Sequence, residues 1–185
     1  MIDGYPPQDS EAGPLTCVAE HYSDLGLQTP NGRLIAAEEI PAEFSRLLVH
    51  QQGMTRTLES IYHQVINLKV LNSIILNGML TRQVLLLLCE SETPAALALV
   101  RIHLARFPDA ARHMILEQST PLGRIFQLSE LTHYYHSHQY FTISVDFTLE
   151  LYKGNSQLYG RRVQISDPTE HKALADVVEI ILPVS

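Results

Sequence analysis

LYGRRVQISDPTEHKALADVVEIIL, residues 158–182, reads as two strands joined by a tight connection. Leu158 to Ser166 and Ala173 to Leu182 are the apolar arms, and the turn-rich DPTEH between them predicts an antiparallel hairpin. Upstream, FTISVDFTLEL (141–151) sets Phe141, Ile143, Val145, Phe147, Leu149 and Leu151 against Thr142, Ser144, Asp146, Thr148 and Glu150, the period of a half-buried strand. Ile66, Leu68 and Val70 alternate with Asn67 and Lys69 in the same way, and Arg82 to Glu90 and Ala95 to Leu104 are further strand candidates. Helical spacing occurs in two places, and a start signal marks a third helix. Phe44, Leu47 and Leu48 follow Pro41, with Gly53 as the expected stop. A second helix is predicted from about Met54 to His63, with Thr55 as its N-cap and Leu58, Ile61 and Tyr62 on one stripe. Thr120 followed by Pro121 predicts the start of a third, running through Gly123 to Leu128. Helices first, then many strands with one short helix inserted, argue for an α+β single domain with a largely antiparallel sheet. Residues 1–36 carry Pro6, Pro7, Pro14 and Pro30 without sustained periodicity, so an irregular arm is expected there and the folded domain over 37–185.

Composition narrows the function classes. The chain of 185 residues is 45% hydrophobic and 18% charged, the balance of a globular protein long enough to build a core without disulfides or a structural metal. Its richest apolar stretch, Val84 to Ile102, is broken by Glu90, Glu92 and Pro94, so no membrane span is expected. No basic region followed by an apolar run opens the sequence, and the cytoplasm is the expected compartment. A formal charge of −7 argues against nucleic acid as partner, because phosphate tracts need a basic surface. Ten of the 13 basic residues are arginine, whose planar fork suits carboxylates. Cys17 and Cys89 lie far apart and form neither a disulfide framework nor a cysteine metal motif.

Several residues stand out chemically. Glu179 lies among Val177, Val178, Ile180 and Ile181, where a carboxylate is costly unless it is paired or working. Periodicity leaves open a second reading, an edge-strand glutamate on a solvated face. Arg82 shares a strand face with Val84, Leu86 and Leu88, and Arg161 and Arg162 open another strand; each alone reads first as a salt-bridged or solvated surface arginine. TPLGRIF around Leu122 and MTRTLE from Met54 are helix starts, and at Gly123 the missing side chain lets backbone approach a ligand. His133, His136 and His138 in HYYHSH invite a metal reading, but no acidic or cysteine ligand completes the set, so they read as solvated or locally bonded histidines before a strand. No phosphate loop, Ser-His-Asp order or H-E-x-x-H motif is present.

Taken in order, GMTRTLE (53–59), TRQVLLLLC (81–89), ALVRIHL (98–104), STPLGRIF (119–126) and LYGRRVQI (158–165) leading into VVEIILP (177–183) resemble the chorismate lyase family. Members of that family release pyruvate from chorismate to give 4-hydroxybenzoate. The resemblance runs from about Gly53 to Ser185 and implies a six-stranded sheet with helices packed on one side. It places the substrate-holding arginine on Arg82 and the working carboxylate on Glu179. Met54 and Leu122 fall on two flap segments whose backbone reaches the ligand, and Arg161 and Arg162 match a GRR pair with a supporting role. The linker from Met54 to Arg82 is shorter, and the 126–159 region longer, than in the well-known bacterial enzymes. Val178 replaces a polar residue, and the N-terminal arm has no counterpart. These departures point to a divergent branch of the family.

The activity implied is a lyase reaction that needs no redox cofactor and no metal. The competing expectation is a non-catalytic protein of the same fold that binds an aromatic carboxylate. A sensor domain of a transcription regulator is disfavoured, because residues 1–36 are too short and too proline-rich for a winged helix.

Overall fold

The computed structural model describes residues 13–143 and 157–184. Its strands are Gly13–Pro14 (β1), Asn31–Ile35 (β2), Ile66–Leu76 (β3), Met79–Leu88 (β4), Pro94–His103 (β5), Tyr134–Ile143 (β6), Leu158–Ser166 (β7) and Ala173–Ile181 (β8). The α-helices are Ala19–Asp24 (α1), Ala42–Leu48 (α2), Met54–Tyr62 (α3), Asp109–Glu117 (α4) and Leu122–Leu128 (α5). The α+β class and the single open antiparallel sheet agree with the sequence reading. The strand order is β1-β2-β6-β7-β8-β5-β4-β3, eight strands where six were expected.

The two additional strands come from the segment expected to be an irregular arm. β2 pairs with β6, with Leu34 opposite Phe141, and β1 pairs with β2. Helix α1 lies between them in sequence and covers a face of the sheet that the six-stranded picture leaves bare. Leu15, Val18 and Tyr22 pack there on Leu97, Leu99, Val178 and Ile180. On the opposite face, α4 and α5 pack Ile115, Ile125 and Phe126 over Val84, Val100 and Val177, and α2 and α3 pack Leu48 and Leu58 over Leu86, Ala96 and Ile181. Helices therefore occupy both faces, which corrects the expectation of one. Burial on both faces also explains why VVEIIL reads as a nearly continuous apolar run.

The predicted hairpin forms with the boundaries read for its first arm, and Asp167 closes its turn by accepting the backbone N–H groups of Thr169 and Glu170 at 2.7 Å each. Asn77 and Gly78, both at positive φ, make the tight turn between β3 and β4. β6 begins at Tyr134, earlier than expected, and includes Phe141 to Ile143 of the strand expected over 141–151, while 144–151 lies outside the described residues. The earlier start puts His136 and His138 within β6, not before a strand. At the helix starts, Gly53 occupies the N-cap of α3 and Pro121 that of α5, with no side-chain cap bond at either, so neither Thr55 nor Thr120 caps. Gly53 thus begins α3 and does not end α2, whose last residue is Leu48.

Candidate active site

β8 lies between β7 and β5, so Glu179 is not on an edge. It is 6% exposed and faces α2–α5, which excludes the solvated-face reading. Its cross-strand neighbour is Arg161, fully buried, whose Nε donates to Glu179 Oε2 at 2.6 Å. The other two guanidinium nitrogens bond the end of α2 and the loop that follows it: Nη1 donates to Leu48 O at 3.0 Å and His50 O at 3.1 Å, and Nη2 to Gln52 O at 2.9 Å. Such a pair tolerates burial only when its donors are satisfied, as these are. Arg161 thereby fixes Glu179 from behind and anchors the chain that leads into Gly53 and Met54.

Arg82 on β4 is the contrasting case. It is 1% exposed, and its Nε and Nη1 are buried without a hydrogen-bond partner. Burial pulls its pKa down to about 10, which still leaves it charged at neutral pH. A buried cation without a counter-charge is costly, and a ligand carboxylate would relieve it. In register, Arg82 faces Val100, which faces Val177, and Glu179 lies two residues further along β8. Two strand spacings and two residues separate the Cα atoms by roughly 12 Å.

Arg82 and Glu179 line one cavity of about 40 Å³ whose walls are otherwise mostly apolar, including Leu68, Val84, Val100 and Val177. The starts of α3 and α5 roof it, with Gly53, Met54 and Thr55 on one side and Pro121, Leu122 and Gly123 on the other. These two segments touch, since a Cβ on Gly123 would stand 3.2 Å from Thr55 Oγ1. They are also clasped by an ion pair between Arg124 and Glu59. Met54 and Leu122 both line the cavity from these helix starts. Arg162 does not join the site. One residue from Arg161, it points to the opposite face and pairs in bidentate fashion with Asp176, Nε to Oδ1 at 2.9 Å and Nη2 to Oδ2 at 2.5 Å.

Tyr135, which no sequence pattern marked, also lines the cavity. Burial, and after it the negative charge of Glu179, pushes its phenol up to about 12. Its hydroxyl takes the space a Cβ at Gly53 would fill, 2.5 Å away, so a side chain there would displace it. Two of the three histidines are bonded locally, His133 to Leu131 O and Tyr135 and His136 to Ser137 and Ser166, whereas His138 Nε2 is buried without a hydrogen-bond partner, contrary to the expectation for it. Among the described residues no group of three or more His, Cys, Asp or Glu converges in a way that could hold a metal ion, and no helix is long and apolar enough to cross a membrane.

His50 supplies a pH response. Its Nδ1 accepts the Gln52 backbone N–H at 3.1 Å and stands 3.1 Å from Arg161 Nη1, so the ring is neutral in this arrangement. Burial first, then the Arg161 charge, lowers its pKa from 6.5 to about 4. A pKa depressed on folding contributes stability that is complete above 6.5 and is lost as pH falls through about 4. Melting temperature is expected to decline over that window, and His50→Gln should flatten the decline there. An unchanged slope in the variant would remove His50 from the account.

No family model and no curated protein matches the chain.

Proposed function

We propose that the protein is a chorismate lyase, converting chorismate to 4-hydroxybenzoate and pyruvate in the cavity between Arg82 and Glu179. The observation that carries this reading is the charged, unpartnered Arg82 buried against a mostly apolar cavity that Glu179 also faces. The ordered sequence motifs supply the substrate class. Chorismate is a dicarboxylate, and its ring becomes aromatic when the enolpyruvyl ether bond breaks and the neighbouring ring hydrogen leaves. The reaction is downhill and asks only for positioning and proton transfer. Arg82 holds a carboxylate and fixes the ring. Glu179, kept in place by Arg161, is the cavity group able to accept the ring proton and return one to the methylene carbon of the departing enolpyruvate, giving pyruvate.

The roof has a kinetic consequence. A cavity of about 40 Å³ admits water, whereas a cavity that takes benzene is about 150 Å³. The starts of α3 and α5 must therefore part for entry and exit, which makes product release a candidate slow step. A second reading, a binding protein for aromatic carboxylates, draws on the same Arg82 and on the engagement of one Glu179 oxygen by Arg161. The setting in which such a lyase works is aromatic precursor supply for quinone or phenolic lipid synthesis in the cytoplasm. A spectrophotometric assay of pyruvate release from chorismate tests the proposal. Turnover is expected to persist in a metal chelator and without added nucleotide. Loss on chelation that one metal restores would overturn the cofactor-free chemistry and return attention to His133, His136 and His138.

A further inference from the structure

Tyr135 and His133 form a polar couple at the cavity wall whose hydrogens can be placed by elimination. His133 Nδ1 lies 2.8 Å from Leu131 O. A carbonyl only accepts, so Nδ1 carries the hydrogen, and in the neutral ring Nε2 is then a bare acceptor. That Nε2 lies 3.2 Å from Tyr135 Oη. The single phenolic hydrogen is therefore committed to His133. The imidazole cannot readily turn to release it, because it stacks on Phe126 of α5 with centroids 4.1 Å apart and planes 20° from parallel. What Tyr135 has left for the cavity is lone pairs.

We propose that Tyr135, with its hydrogen held by His133, is a dedicated hydrogen-bond acceptor that selects ring carboxylates bearing a hydroxyl donor away from the carboxylate. The inference rests on the reading of the cavity as an aromatic-carboxylate site. Tyr135 on β6 and Arg82 on β4 approach the cavity from opposite sides, with β7, β8 and β5 between them. A ligand carboxylate on Arg82 thus leaves the far end of the ring toward Tyr135. An acceptor that cannot donate rewards a hydroxyl and gives nothing to a substituent lacking a hydrogen, which is how a buried polar group discriminates between near-isosteres.

Titration calorimetry with 4-hydroxybenzoate and 4-fluorobenzoate, which share a shape but not a donor, reads this directly. The parent protein is expected to favour the hydroxyl acid. Tyr135→Phe should narrow that preference by about three- to tenfold, the range of one neutral hydrogen bond, through weaker binding of 4-hydroxybenzoate. His133→Phe, which retains an aromatic ring for Phe126 to stack on and frees the Tyr135 hydrogen, should narrow it as well. A preference that stays at the parent value in Tyr135→Phe, or in His133→Phe should the first variant not fold, overturns the assignment. Failure of both acids to bind the parent protein would instead overturn the cavity reading, and this inference with it.

Discussion

Glu179→Gln is expected to lower the single-turnover rate by about a hundredfold to ten-thousandfold, the usual span of general acid–base catalysis, while ligand affinity stays near the parent value. The structure makes this substitution a clean one. Glu179 Oε2 receives Arg161 Nε, and a glutamine carbonyl oxygen can receive the same hydrogen. Arg161 also keeps its carbonyl partners at Leu48, His50 and Gln52. The amide therefore preserves shape and the anchoring of the α2–α3 loop but cannot exchange a proton with substrate. If Glu179 serves only as the structural partner of Arg161, turnover stays within a few-fold of the parent. Parallel measurements of rate, affinity and melting temperature on the two proteins separate these cases.

Arg82→Ala is expected to weaken 4-hydroxybenzoate binding by about 1.5–3 kcal/mol, or roughly tenfold to a hundredfold, the scale of a hydrogen bond to a charged group. Unlike Arg161, Arg82 has Nε and Nη1 buried with no internal partner. Removing a partnered buried charge strands its counterpart, but removing this one strands nothing. The fold should therefore survive Arg82→Ala, and Arg82→Met, which refills part of the volume, should match or exceed the parent in thermal stability. Such a gain with loss of binding is the trade expected of a group placed for a ligand and not for the core. Normal 4-hydroxybenzoate affinity in Arg82→Ala would remove this residue from the site.

Much of the frame was legible because it rests on local signals. Alternation marked β3, the DPTEH turn marked the β7–β8 hairpin, helical spacing marked α2 and α3, and the Thr120–Pro121 start marked α5. What was not legible depends on distant pairing. NGRLI at 31–35 has no pattern of its own and becomes β2 only because β6 offers it an edge. Helix α1 is short, and its Tyr22 is buried by strands far away in sequence. Helix α4 carried a signal that periodicity could have found, with Ala111 and Ile115 four residues apart and buried after Pro108 and Asp109. At the site, Arg82 and Glu179 stood out as charges in apolar strands. The different fates of adjacent Arg161 and Arg162 follow from strand alternation, but which face carried the cavity required knowing that both faces are covered. Tyr135 gave no signal, since its value lies in a tautomer fixed by Leu131 and a ring stacked on Phe126.

Splitting of chorismate between Arg82 and Glu179 is tested by incubating the purified protein with chorismate and quantifying both products over time. Pyruvate and 4-hydroxybenzoate are expected in equal amounts, well above the protein-free control, with Glu179→Gln close to that control. Tight binding of 4-hydroxybenzoate with no product formed above the control would contradict catalysis and leave the cavity as a binding site.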